Sequence, residues 1–155
     1  MKIKLIASVF LMLLLLGCND VEINPQVLTQ NQWQNVVEYK IANQPYDLVY
    51  SIDFESDGKV YSEVYFRDIE TKEVIGYLEY YTGNYQITNG KILVSILALY
   101  HIQGGEEFDL DKEELSIVDG EHLSREFQLR NKNRELHTIM PSLASSLGII
   151  YNRVD

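Results

Sequence analysis

The sequence predicts an all-β fold, an antiparallel up-and-down meander of about eight or nine strands that closes as a barrel or half-open calyx. Three observations predict it. Apolar residues recur with period two in short segments separated by turn chemistry. No segment has the length and 3.6-residue period of a crossover helix, which excludes a parallel α/β sheet. Eleven tyrosines, five phenylalanines and Trp33 supply the flat, rigid side chains that suit a pleated surface. A chain of 155 residues supports one domain with a single core.

The first element is a leader over residues 1–17. Lys2 and Lys4 make a positive start, and Leu5 to Leu16 is an apolar run broken only by Ser8. Spanning a bilayer takes about 20 apolar residues, so the run reads as a secretory signal peptide. Leu15-Leu16-Gly17-Cys18 then resembles the lipobox of bacterial lipoproteins. That resemblance implies cleavage before Cys18 and a diacylglycerol (palmitate-type) anchor on its thiol, with about 0.8 kcal/mol of membrane affinity per buried methylene. Cys18 is the only cysteine, so no disulfide is expected and stability rests on burial. The implied location is the cell envelope, the outer membrane rather than the inner, with the periplasmic or surface side open.

Residues 18–30 are polar, contain Pro25 and lack periodicity, and read as a lipidated flexible tether; residues 31–155 form the barrel domain. Within Gln32–Ile41, Trp33, Val37, Tyr39 and Ile41 share a face, with Asn35 the exception. Leu48, Tyr50, Ile52 and Phe54 alternate in Asp47–Glu55. Ser56-Asp57-Gly58-Lys59 is a hairpin turn. Val60–Arg67 then sets Val60, Ser62, Val64 and Phe66 against Tyr61, Glu63, Tyr65 and Arg67. Val74–Thr82 is interrupted at Gly83-Asn84 by a bulge or bend before Tyr85–Thr88. Asn89-Gly90 is a two-residue hairpin signal leading to Lys91–Ile102. A short strand near Phe108–Leu110, then Glu114–Val118, His122–Arg130 and Arg134–Met140, complete the meander.

Lys91–Ile102 is apolar on both faces, Ile92, Val94, Ile96 and Ala98 on one and Leu93, Leu97 and Leu99 on the other. Both faces therefore need cover. The expected cover is a short C-terminal helix or tail packed outside, with Leu143 and Leu147 four apart behind Pro141-Ser142 and Ile149, Ile150 and Tyr151 following. A partner protein over that face is the alternative.

Leu28 to Trp33, Ile52 to Val60, Gly83 to Ile92, Glu114 to Val118 and Leu123 to Phe127 are similar in order and spacing to the lipocalin-like lipoproteins of Bacteroidetes. The resemblance spans residues 28–140. It implies a small up-and-down barrel or half-open calyx and no shared catalytic residue.

Without the leader, the 138 residues from Cys18 carry 11 basic and 23 acidic side chains, a formal charge of −12. That opposes binding to nucleic acid and adsorption to anionic lipid, both of which need positive charge. Arg130–Arg134 is a basic turn in this acidic chain, a charged hairpin end that can touch an anionic surface. His101, His122 and His137 lie apart without metal-ligand spacing. Asp109–Glu113 lacks the central glycine and distal glutamate of a calcium loop. Ser142, Ser145 and Ser146 lie in no nucleophile context. The chain is therefore expected to use no cofactor or metal and to be a non-enzymatic binding or accessory module. Its partner is an envelope protein or a small apolar ligand, with an enzyme of unrecognised site as the other class. Tyr61, Tyr65, Tyr77 and Tyr81 are the candidate partner surface, and Trp33, Phe54, Val64, Phe66 and Ile96 the candidate barrel lining.

Overall fold

A computed structural model describes residues 23–104, 109–118, 123–139 and 148–154. A single helical turn, α1 (Pro25–Thr29), precedes nine strands. These are β1 (Gln32–Ile41), β2 (Gln44–Phe54), β3 (Lys59–Asp68), β4 (Val74–Thr88) and β5 (Lys91–His101), followed by β6 (Ser116–Ile117), β7 (Ser124–Arg130), β8 (Glu135–Ile139) and β9 (Ile150–Val154). Every pairing is antiparallel. Eight strands close a barrel in the order β1-β2-β3-β4-β5-β7-β8-β9, with β9 returning to β1. The ninth, β6, pairs only with the last two residues of β5, beyond the stretch of the same edge that holds β7.

Turn chemistry sets the register. Ala42-Asn43 and Asn89-Gly90 hold φ values of 49° and 69°, and 52° and 70°, the paired left-handed residues of a two-residue hairpin. Strands β1, β3, β5 and β8 begin, and β2, β4, β7 and β9 finish, at one end of the barrel, here the lower end.

The lower half is solidly packed. Trp33, Ile52, Ile92, Phe127 and Leu136 are fully buried, and Phe54 and Val60 nearly so. Each contributes roughly 1.5–3 kcal/mol on leaving water. Phe54 makes edge contacts with Tyr85 at 5.0 Å and Phe127 at 6.4 Å. Helix α1 closes this end. Asn24 caps it by accepting from the Gln26 amide at 3.0 Å, and Leu28 is fully buried. The Trp33 Nε1–H donates to the Leu28 carbonyl at 3.3 Å, joining plug to wall.

Four expectations need correction. Residues 23–30 are not part of a flexible tether, because Ile23 and Leu28 sit in the core and Pro25–Thr29 is a helical turn; residues 18–22 lie outside the described residues. An irregular polar stretch with two apolar residues is enough to cap an otherwise open barrel bottom.

The C-terminal tail does not pack outside: Ile150–Val154 is β9, the strand that closes the barrel between β8 and β1, with Tyr151 buried inside. The proposed helix at Pro141-Ser142 lies outside the described residues.

The two apolar faces of β5 are not both covered. Thr82 pairs with Ala98 but Gly83 pairs with Ile96, so Leu97 is an extra residue in a bulge. The bulge reverses the alternation, bringing Leu99 onto the core and leaving Leu97 70% exposed and Leu93 40% exposed. Asp109 and Leu110 form no strand; the Leu110 carbonyl accepts from the Tyr77 amide at 2.9 Å, and a 3₁₀ turn over Lys112–Glu114 follows.

Candidate functional site

The upper half of the barrel differs from the packed lower half. β9 pairs with β1 only from Gln32 to Gln34, so among the described residues no strand covers that edge of β1 beyond Gln34. Asn35, the polar exception in the apolar face of β1, reaches across where the strands part, its Nδ2 donating to the Ile150 carbonyl at 2.8 Å. Above it, Val37 and Tyr39 face inward opposite Leu48 and Tyr46, yet both are 46% exposed. Tyr39 lies 5.5 Å from the ring of Phe66, which is buried. Partly exposed apolar side chains thus line the inner face at the upper end of the barrel.

Below them lies a group of polar side chains. The Arg125 Nη2 on β7 donates to the Glu79 Oε1 on β4 at 2.8 Å, with β5 between the two strands. The Arg125 guanidinium also stands 4.8 Å above the Tyr81 ring. Burial opposes the charge on Arg125, but Tyr81 and Glu79 outweigh it and hold the guanidinium more firmly protonated. Tyr81 is fully buried, and its hydroxyl makes no hydrogen bond of good geometry, although Ser62 and Arg125 stand near enough to lower its pKa against the effect of burial. Burial raises the pKa of both the Tyr81 and the Tyr151 phenols, keeping them neutral donors at physiological pH. Ser62, facing Tyr81 across the β3–β4 ladder, donates its Oγ–H to the Ser51 carbonyl at 2.7 Å and keeps its lone pairs toward the Tyr81 side. The result is a mixed floor, an arginine–glutamate pair with phenolic hydroxyls beneath apolar side chains.

Trp33, Phe54 and Phe66 are buried on the inner face, with Val64 half-buried there and Ile96 packed against the core. Tyr61, Tyr65 and Tyr77 stand on the outer face of β3 and β4, Tyr65 and Tyr77 with rings 5.9 Å apart. The structure separates Tyr81 from them and removes it from the candidate partner surface. Irregularities in the β3–β4 register pair Val64 with Glu79 but Tyr65 with Tyr77, so the alternation inverts between Tyr77 and Tyr81. The outer face instead continues to Tyr80, 6.3 Å from Tyr61 and stacked on Tyr100 at 4.5 Å. Lys112 covers part of it, its Nζ 4.5 Å from the Tyr77 ring centroid and 2.9 Å from Glu63. Burial tends to lower the Lys112 pKa, and Tyr61 and Glu63 reverse that, holding the ammonium charged.

Arg125 and Glu79 are the residues that sequence reasoning missed. The signal for Arg125 was present, since it shares a period-two face with Phe127 and Leu129. Glu79 gave none, because its direction depends on the irregular register.

The remaining candidates do not converge. The His101 Nδ1 contacts the Ile102 carbonyl at 2.6 Å, and His137 bridges to Glu135 at 2.8 Å. His122, Ser142, Ser145 and Ser146 lie outside the described residues. No group of three potential metal ligands occurs among the described residues. The basic turn borders an open cleft of about 490 Å³ at the lower end, lined by Asn131, Lys132, Arg134 and Arg153.

No family model matches the chain, and no curated protein matches it.

Proposed function

We propose that this chain is a non-enzymatic binding module of the bacterial cell envelope, anchored by lipid on Cys18, that holds one small amphipathic molecule in the upper half of its barrel. The Tyr81 hydroxyl carries the reading. A buried hydroxyl without a well-formed hydrogen bond costs up to about 1–3 kcal/mol, and the same barrel exposes the inward-facing Val37 and Tyr39 at its upper end. A ligand with an apolar body and a neutral hydroxyl, amide or protonated acid head satisfies both features. Arg125 is already neutralised by Glu79, which argues against a free carboxylate as the main head group.

The test is native mass spectrometry of the protein purified from envelopes in mild detergent. Wild type should carry a small molecule at one per chain, and Tyr81→Phe and Arg125→Leu should lose it while remaining folded. A wild-type chain that is empty, and that takes up no compound from an envelope lipid extract, overturns the reading. Anchoring is tested separately: Cys18→Ser should abolish palmitate labelling and move the chain to the soluble fraction. Protease shaving of intact cells then reports the exposed side, with the outer membrane the expected address.

The outer tyrosines support a second reading, docking of an envelope protein on Tyr61, Tyr65 and Tyr77. Cross-linking from this face should then capture one defined partner that Tyr65→Ser and Tyr77→Ser release.

A further inference from the structure

The basic turn is unused by the binding reading, and its construction is specific. Asn131, Lys132 and Asn133 are three consecutive residues with φ of 49°, 55° and 64°. Asparagine tolerates this left-handed region; lysine seldom occupies it. The turn is held by the Arg134 amide, which lies 3.2 Å from the carbonyls of both Arg130 and Asn131. Arg153 on β9 is clipped alongside, its amide donating to the Arg134 carbonyl at 3.0 Å. Three cations and an amide therefore border one cleft.

Glu135, directly after the turn, is engaged elsewhere. Glu135 accepts from the Asn131 Nδ2 at 2.9 Å and bridges to His137 at 2.8 Å. Lys59 and Lys91, at the same end of the barrel, are bridged to Asp57 and Glu126. Lys132 and Arg134 have no carboxylate partner among the described residues.

Position says what the cleft faces. Trp33, which bonds to the α1 plug, pairs directly with Arg153. The chain enters the fold at Ile23, five residues after Cys18, a reach of at most about 18 Å. A lipid on Cys18 holds this end of the barrel near the bilayer. Among the described residues between β5 and β7, toward the opposite end, Asp109, Asp111, Glu113 and Glu114 are acidic and Lys112 alone is basic. An anionic membrane repels that end and attracts the lower one.

We infer that the lower end of the barrel docks on the bilayer, with Lys132 and Arg134 binding the phosphate of an anionic lipid headgroup. The inference rests on the anchoring part of the preceding reading and not on the ligand in the barrel. The net charge of the chain opposes adsorption, whereas Lys132 and Arg134 put unbridged positive charge at this end.

The experiment places the purified full chain in vesicles and measures acetylation of each lysine by mass spectrometry, with Lys40, far up β1, as the reference. Flotation with neutral phosphatidylcholine vesicles reads the anchor alone. In vesicles with one third phosphatidylglycerol, Lys132 should be protected about fivefold relative to Lys40, and Arg134→Gln should remove most of that protection. Failure to float in any vesicle sinks the anchor. Flotation without protection of Lys132 sinks the headgroup site while leaving the anchor intact. Equal protection by inorganic phosphate over neutral vesicles makes the cleft a soluble-anion site and overturns the membrane assignment.

Discussion

Arg125 and Glu79 are 46 residues apart on strands that do not touch, and their side chains meet at 2.8 Å inside the barrel. The contact depends on β5 between them, whose Leu97 bulge lets one edge carry β7 and then β6. The pair therefore reports barrel closure and sets the polarity of the candidate site.

Breaking it from one side should be costly. Arg125→Ala leaves the Glu79 carboxylate unpaired in a largely enclosed site and should destabilise by about 1–3 kcal/mol. Arg125→Ala combined with Glu79→Ala should recover part of this, giving a coupling energy of at least ~0.5 kcal/mol in a urea-unfolding double-mutant cycle. Additive single effects would show that the pair carries no coupling.

Tyr81→Phe should separate stability from binding. Its hydroxyl makes no hydrogen bond of good geometry within the fold, so removal should leave stability unchanged or raise it by up to about 3 kcal/mol. Calorimetry of ligand-free protein reads this directly. A loss above 2 kcal/mol would mean the hydroxyl is bonded within the fold.

Asp47 should give the domain acid sensitivity. Its carboxylate lies 3.0 Å from both Arg67 and Lys72. Burial alone would raise its pKa, but the Lys72 and Arg67 contacts outweigh burial and hold it below the ordinary value of 3.8. The unfolded chain thus takes up this proton more readily than the folded one. The stabilisation is complete above the unfolded pKa and is lost as pH falls through the lower folded value. Asp47→Asn should cost on the order of 1–2 kcal/mol at pH 7 and nothing extra at pH 2–3, measured by urea unfolding at both pH values.

Gly83→Ala should destabilise by overpacking. A Cβ at this position would collide with the Ser95 carbonyl, part of the backbone of β5, which no side-chain rotation can relieve. The expected cost is about 1–3 kcal/mol, visible as a lowered Tm. An unchanged Tm would show that β4 and β5 can separate at this point.

Most strand positions were legible in the chain, and for a physical reason: alternation and turn chemistry are local properties. Gln32–Ile41 is β1 residue for residue, and Asn89-Gly90 makes the predicted hairpin. Gly83 marked an irregularity because it lacks a side chain where β5 crosses closely. Which face each strand turns inward beyond such a point was not legible. A bulge inserts one residue and inverts everything after it, so Tyr81 and Leu99 lie inside although the uninterrupted period sends them out.

By itself the sequence determined that the chain is an antiparallel meander, because period two and tight turns admit little else. Tertiary structure alone decided that residues 150–154 close the barrel and that Leu28 plugs it. It also brought Arg125, Glu79 and Tyr81 together inside the barrel. These are contacts between residues far apart in the chain, set by barrel closure and by where bulges fall, and no local pattern of side chains encodes them.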